Sequence, residues 1–353
     1  MQKKNYKVKL VAIAKDEAPY IPQWIYHHLS VGIDLVEIYI NNTTDNSLKI
    51  CKKIAKAEKR FSYFKADKLF LKVQKRGDKF QIAAYNKSLK RSRRGLDSAT
   101  HILFLDLDEY LINRKAGDHI TKLIESNPKT DSFSFLWYLE HWNQNKKKFS
   151  DPVINNKAGI RNNHVKSLIK ITRKIESCLH HNALFKKDYC PINLLSDTNI
   201  LLIDGKNSSL NRAVVGNDVI KHLNNEIIEG WYVLHCVYRS QTEYLASLIR
   251  ARAHNNHSDP IKNNRWGLVN PKGQILDLRR SNGRALYKLK FVIFMTRHRL
   301  HRELRIARNH LIKRREKLDE LLRYKPEIIT NYSKIFRGTI YDTELNKLNS
   351  LSE

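Results

Sequence analysis

The sequence is short of acid. Its 353 residues carry 35 Asp and Glu against 65 Lys and Arg, a formal charge of +30 at pH 7. Such an excess favours anionic partners, whether nucleic acid, an anionic membrane or phosphorylated substrates, and charge alone does not choose among them. Cysteine is scarce too. Cys51, Cys178, Cys190 and Cys236 form no C-x-x-C pair and no zinc-ligand spacing, which excludes a disulfide framework and fits buried thiols in a reducing cytosol. Long apolar runs are missing, and nothing approaches the roughly 20 residues a spanning helix needs. The run Leu10 to Ala14 stops at Lys15-Asp16-Glu17, too soon for the core of a signal peptide. The expectation is a cytoplasmic protein, soluble or peripheral on the inner face of the membrane. No internal repeat is visible, and no RNP-like or zinc-finger motif accompanies the basic residues, so specific nucleic-acid binding is the weaker reading despite sixteen Tyr.

What is present is enough apolar side chain, 41% of residues, for a sizeable core. The first 110 residues alternate strand and helix signals: strands over Val8–Ala14, Leu35–Ile40, Phe61–Phe64 and His101–Leu105, and helices over Pro19–Val31, Leu48–Glu58 and Lys79–Arg91. This rhythm predicts an open α/β sheet whose ligands lie beyond the carboxyl ends of its strands. From about residue 131 aromatic segments, polar loops and short strands (Val165 to Ile171, Trp231 to Tyr238) replace the rhythm, as an irregular second half of the same domain. The expected division is a catalytic domain over 1–281 and a basic helical extension over 282–353.

The most informative stretch is His101-Ile-Leu-Phe-Leu-Asp106-Leu-Asp108-Glu109. An apolar strand delivers Asp106 and Asp108 to its carboxyl end, and residues i and i+2 of a strand share a face. Paired carboxylates suit a hard divalent cation, Mg2+ or Mn2+, which can neutralise a diphosphate leaving group. An aspartate-nucleophile phosphotransferase also begins with apolar-D-x-D, but on its first strand and with Thr or Val where this chain has Tyr110.

Four blocks in order then carry a resemblance. They are Val11-Ala-Ile-Ala-Lys15-Asp16-Glu17 through Trp24 with His27-His28; Ile38-Tyr-Ile-Asn41-Asn42 through Asp45; Gln81 to Asn86 leading into Asp106-Leu-Asp108-Glu109; and Leu234-His235 through Arg239-Ser240, with Arg250 and Arg252 beyond. Over about residues 8 to 255 the chain resembles the GT-A glycosyltransferases of the family 2 and family 92 type, in particular the bacterial branch that decorates lipopolysaccharide core or capsule. The resemblance implies a nucleotide-sugar donor, with a UDP-sugar expected, a glycan or glycolipid acceptor, a bound Mn2+ or Mg2+, and inverting transfer.

It also implies roles. Lys15 and Glu17 lie where the base and ribose would rest. Asp45 could accept bonds from uracil or ribose, or simply end its strand in an Asx-turn. Arg76 could approach the diphosphate or be an exposed loop charge. Gln81, Tyr85 and Asn86 share a helix face, which the resemblance sets beside the donor sugar or metal. Asp106 and Asp108 hold the metal, with His235 either a third contact or structural. His180 and His181 match a pair in the family that faces acceptor or phosphate. The region of Trp137 to Trp142 departs from the family's small-residue turn. The base that takes the acceptor proton is expected at Glu140, then Asp151, with Asp218 a further candidate.

Between Arg284 and Lys325 there are fourteen Lys or Arg against four acids. Leu300, Leu304, Ala307, Leu311, Leu318 and Leu321 line one helical face. With Phe291 to Met295 before it, this reads as an element for an anionic membrane surface; the same stripe could instead pack on the catalytic domain or pair two copies as a homodimer.

Overall fold

The computed structural model describes residues 6–114, 119–142, 149–151, 153, 158–195, 200–203, 214, 230–249, 261–273, 275–278 and 284–342. Asp218, Arg250 and Arg252 lie outside them. The first half runs β1 (Val8–Ala14), α1 (Ile21–Ser30), β2 (Leu35–Ile40), α2 (Ser47–Ala57), β3 (Phe61–Lys65), α3 (Asp67–Gln74), α4 (Phe80–Arg93) and β4 (His101–Phe104). Strands β3, β2, β1 and β4 lie side by side and all parallel. Their side chains alternate between two helical layers, as a sheet covered on both faces requires. Leu10, Ala12, Val36 and Ile38 join Trp24 and Ile25 of α1 and Ile50 and Ile54 of α2. Val11, Ile13 and Tyr39 face Phe70 of α3 and Phe80 and Tyr85 of α4.

The second half continues the sheet with mixed pairing. It contains β5 (Glu109–Asn113), α5 (Ile120–Ser126), β6 (Ser132–Glu140), β7 (Ala158–Lys170), β8 (Ile175–Cys178), β9 (Ala183–Phe185), β10 (Ile192–Leu195), β11 (Ile200–Ile203), β12 (Trp231–His235), α6 (Gln241–Leu248) and β13 (Ile275–Asp277). Strand β7 joins β4 to β6, β10 and β11 extend the row, and β12 bridges β6 to β5. Pairing is antiparallel through β7 and parallel where β10 and β12 meet β6. The architecture is therefore a mixed, open α/β sheet flanked by helices. The β6–β7 register slips between Leu136 and Trp137, a bulge of the kind that re-aims side chains near sites.

The basic segment forms two long helices, α7 (Arg284–Arg297) and α8 (His301–Tyr324), then α9 (Glu327–Asn331) and α10 (Ser333–Phe336). The leucine stripe turns inward. Leu300 and Ala307 belong to the main core, while Leu318 and Leu322 pack with Tyr244 and Leu248 of α6 and with α9 and α10. Glu303, nearly inaccessible, accepts from Lys53 at 2.8 Å and Asn46 at 3.2 Å and pairs with Lys49 at 3.1 Å, clamping α8 to the start of α2. Among the described residues, no helix is long and apolar enough to cross a membrane.

Candidate active site

Strand β1 has β2 on one side and β4 on the other, so the chain passes a topological switch point there, and open α/β sheets bind ligands at the carboxyl ends beside such a point. Among the described residues, three of the four non-glycine residues with left-handed backbone lie at strand carboxyl ends: Asp16 (φ 53°) after β1, Asn42 (φ 45°) after β2 and Arg239 (φ 53°) after β12. Such conformations cost of order 1–3 kcal/mol each and persist where surrounding contacts enforce them. Asp16 is enforced by Thr43, Thr44 and the Asp45 N–H, all donating to its Oδ1. Burial opposes its charge, but the Thr44 bonds and nearby Arg314 hold its carboxyl below the usual range.

Asp106 and Asp108 arrive at the end of β4 in different environments. Asp106 is 40% exposed; its Oδ1 accepts from Gln81 Nε2 at 3.0 Å, and its Oδ2 lies 3.5 Å from Lys166 Nζ. Glu109, with no accessible surface, accepts the Asp106 N–H at 2.8 Å and pairs with Lys166 at 3.1 Å. Burial pushes its carboxyl up to about 7, against the pull of Lys166. Lys166 donates its remaining proton to the His180 carbonyl at 3.3 Å. Burial opposes its charge, yet Asp106 and Glu109 raise its pKa, so the ammonium is kept. Trp24 Nε1 donates to the carbonyls of Asp106 (3.1 Å) and Glu109 (2.9 Å), fixing the turn to α1. His28 takes part in the same joint, donating from Nδ1 to the Trp24 carbonyl and accepting the Leu111 N–H at Nε2; burial pushes it down to about 3, so it is neutral.

Asp108 faces the other way, toward β12. Its Oδ2 lies 3.6 Å from His235 Nε2. Burial penalises the carboxylate, but His235, Arg239 and Arg265 hold it far below the usual range. Burial likewise opposes charge on His235, and Asp108 and Glu109 outweigh it, raising its pKa. Beside this pair a cleft is lined by Glu17, Tyr20, Asp108, Arg239, Arg265 and Arg314. Three guanidiniums thus reach one cleft from the turn after β12, the 261–273 segment and helix α8. Arg239 donates to the Leu107 carbonyl at 2.9 Å, sits 3.8 Å from Glu17 and stacks 3.3 Å over the Tyr20 ring. Guanidinium forks match the oxygens of phosphates.

A divalent ion makes demands that this donor set meets in part. Among the described residues, no group of three or more His, Cys, Asp and Glu side chains is gathered to hold a metal by itself. The Asp108–His235 separation nonetheless leaves room for an ion between a carboxylate and an imidazole, with Asp106 close in sequence and half open to solvent. Mg2+-type sites of this kind take one or two carboxylates and complete their shell with water and substrate phosphate. The residues fit an ion shared with a phosphorylated ligand.

The other expected residues fall in several places. Lys15 is half-buried after β1. Asp45 ties its loop to the one after β1, accepting the N–H groups of Ala18 and Ser47 and the Ser47 hydroxyl, with Thr43 Oγ1 2.9 Å away. Arg76 is exposed in the turn between α3 and α4. Asn86 exchanges bonds with the Cys178 backbone and so pins β8 to α4. Glu140, fully buried, accepts the N–H groups of Tyr238 (2.5 Å) and Arg239 with one oxygen. Asp151 is half-buried and accepts from Gln23 at 2.5 Å. On the β6 side Trp137 gathers the rings of His235 (4.4 Å), His181 (5.0 Å) and His164 (5.3 Å). Burial pushes His181 down to about 2 and lowers His164, so both are neutral imidazoles able to donate and accept.

Sequence reasoning misses Lys166, Arg265 and Arg314. Lys166 alone carries a signal, as a lysine inside the apolar run Val165–Ile171; Arg314 is one cation among many on a basic helix.

No protein-family model matches the chain, and no curated protein matches it in sequence. Solved structures show partial similarity. A mycobacterial protein is 14% identical over 38% of this chain and 42% of its own, with a TM-score of 0.25. TarS of S. aureus is 14% identical over 52% and 30%, at 0.26. The galactosyltransferase LgtC, solved with donor and acceptor sugar analogues, is 12% identical over 46% and 58%, at 0.24. The chain spans less than half the length of the first two. Similarity this slight carries no argument about activity, which has to be read from the geometry of the site.

Proposed function

We propose that this chain is a GT-A glycosyltransferase that moves a sugar from a nucleotide-diphosphate donor, a UDP-sugar foremost, onto a bacterial surface glycan such as lipopolysaccharide core or capsule. The observation that carries the reading is the Asp108–His235 pair beside three arginines in one cleft at the sheet's switch point. A carboxylate and an imidazole suit a divalent ion, and the arginines suit the phosphates that ion would share. Bound there, Mn2+ or Mg2+ would be held by Asp108 and His235, with Asp106 adjoining, and would supply a Lewis acid that offsets charge on the departing diphosphate.

The chain's own groups do the rest. Arg239, Arg265 and Arg314 bind and orient the diphosphate. Lys166 and Gln81 hold the Asp106 carboxylate in place. The neutral imidazoles around Trp137 offer hydrogen bonds to acceptor hydroxyls. For an inverting transfer the acceptor proton goes to Asp151, because Glu140 is buried and committed to the backbone of Tyr238 and Arg239. A thermal-shift screen of UDP-, GDP- and CMP-sugars with Mn2+ tests the proposal. UDP-sugars should raise the melting temperature most and only with metal; indifference to every nucleotide sugar would refute it.

A further inference from the structure

Helix α7 has two unlike faces. Inward, Tyr287, Phe291 and Phe294 pack on Tyr26 of α1, with ring centroids 5.0, 5.3 and 5.6 Å away. Outward, Leu286, Leu289, Val292 and Ile293 are 54, 58, 52 and 56% exposed. At 100° per residue these four share one arc, with Lys290 and Arg297 along one edge and Lys288 along the other. All three cations are exposed, and the helix carries no acid. A contiguous outward row of four large aliphatic side chains is unusual on a monomeric surface and marks an interaction site.

We propose that this outward face of α7 docks on an anionic phospholipid surface, lying in the interface plane. The arrangement decides between occupants. A two-fold pairing of two copies through this face would bring its cationic edges against each other, whereas anionic headgroups complement them while the aliphatic row enters the acyl boundary. The exposed Arg299, Arg302 and Arg305 follow directly and add charge of the same sign. The leucine stripe of α8, by contrast, is spent on the protein's own core and leaves the membrane to α7. This inference stands whether or not the cleft transfers sugar.

The test is co-sedimentation of the full chain with vesicles of phosphatidylcholine alone, or mixed with phosphatidylglycerol, at low and high salt. The wild type should bind the mixed vesicles, weakly bind the neutral ones, and lose affinity as salt rises. Leu289→Glu with Ile293→Glu, and separately Lys288→Glu with Lys290→Glu, should each weaken binding about tenfold or more at an unchanged melting temperature. If the first pair unfolds the protein, the charge pair decides. Failure of the wild type to bind mixed vesicles, or undiminished binding by the variants, would overturn the proposal. So would self-association that the variants abolish, without vesicle binding, which would give the face to a second copy.

Discussion

Replacing Glu140 separates a scaffold from a base. Its carboxylate, at the end of β6, accepts two backbone N–H groups in the turn after β12 and so holds Arg239 in its left-handed conformation. A hydrogen bond to a charged acceptor contributes about 1.5–3 kcal/mol and a neutral one about 0.5–1.5. Glu140→Gln keeps a carbonyl oxygen in place, so two weakened bonds should cost about 2 kcal/mol. Glu140→Ala leaves both N–H groups buried and unpaired, and at about 1–3 kcal/mol apiece should cost about 4. In urea denaturation the two midpoints should fall in that order. Turnover is the second readout, taken on the same preparations. Loss of a general base typically costs about 100- to 10,000-fold, whereas a scaffold that Gln still supports should keep kcat within a few fold. A folded Glu140→Gln protein with turnover down a hundredfold would refute the scaffold role and restore Glu140 as the base.

Glu303 gives a pH dependence. The fold holds its carboxyl down to about 2 from 4.5, through Lys53, Lys49 and Asn46 acting against burial. The associated stability is therefore present above pH 4.5 and drains as pH falls from there through about 2. The shift corresponds to at most about 3 kcal/mol, and solvent around the exposed Lys49 lowers this to about 2; Glu303→Gln should lose that amount at neutral pH, roughly half of it near pH ~3 and little by pH ~2, as chemical denaturation would report. Lys166→Met strands two carboxylates and should cost about 3–5 kcal/mol, part of it recovered in the double variant with Glu109→Gln, as a denaturation cycle would report. Gly159→Ala would set a Cβ 2.4 Å from Leu278 Cδ1 and 3.0 Å from the Leu139 carbonyl; the overpacking should cost about 1–3 kcal/mol in thermal melts, relieved in part by Leu278→Ala.

The first half of the fold is legible in the sequence because its signals are local. Strands β1 and β2 have the bounds their apolar runs predict, and α1, α2 and α4 differ by a residue or two. Helix α3 escapes such reading, since Asp67–Gln74 is only two turns long and buries only Phe70 and Val73. Strand β5 escapes it because Glu109–Asn113 continues directly from the carboxylate turn and is a strand only through its pairing with β12. The leucine stripe is visible as a helical face, but whether it meets lipid or protein is a tertiary fact; Leu322, not Leu321, is its fully buried end.

At the site, the carboxylates are visible because they end an apolar strand, and His235 because it ends another. Their division of labour is not. Asp106 goes with Lys166 and Asp108 with His235 because β7 and β12 approach from opposite sides, and no sequence spacing records that. Asp45 and Asn86 have the chemistry of ligand-binding groups, yet their hydrogen bonds go to neighbouring backbone.

The most direct test of the central claim is titration of UDP and UDP-sugars into wild type, Asp108→Asn and His235→Ala, with Mn2+ and with chelator. The account predicts that wild type binds only with metal, that both variants lose metal-dependent binding while remaining folded by circular dichroism, and that sugar transfer disappears with it. Binding of equal strength in all three proteins, or binding indifferent to metal, would contradict it.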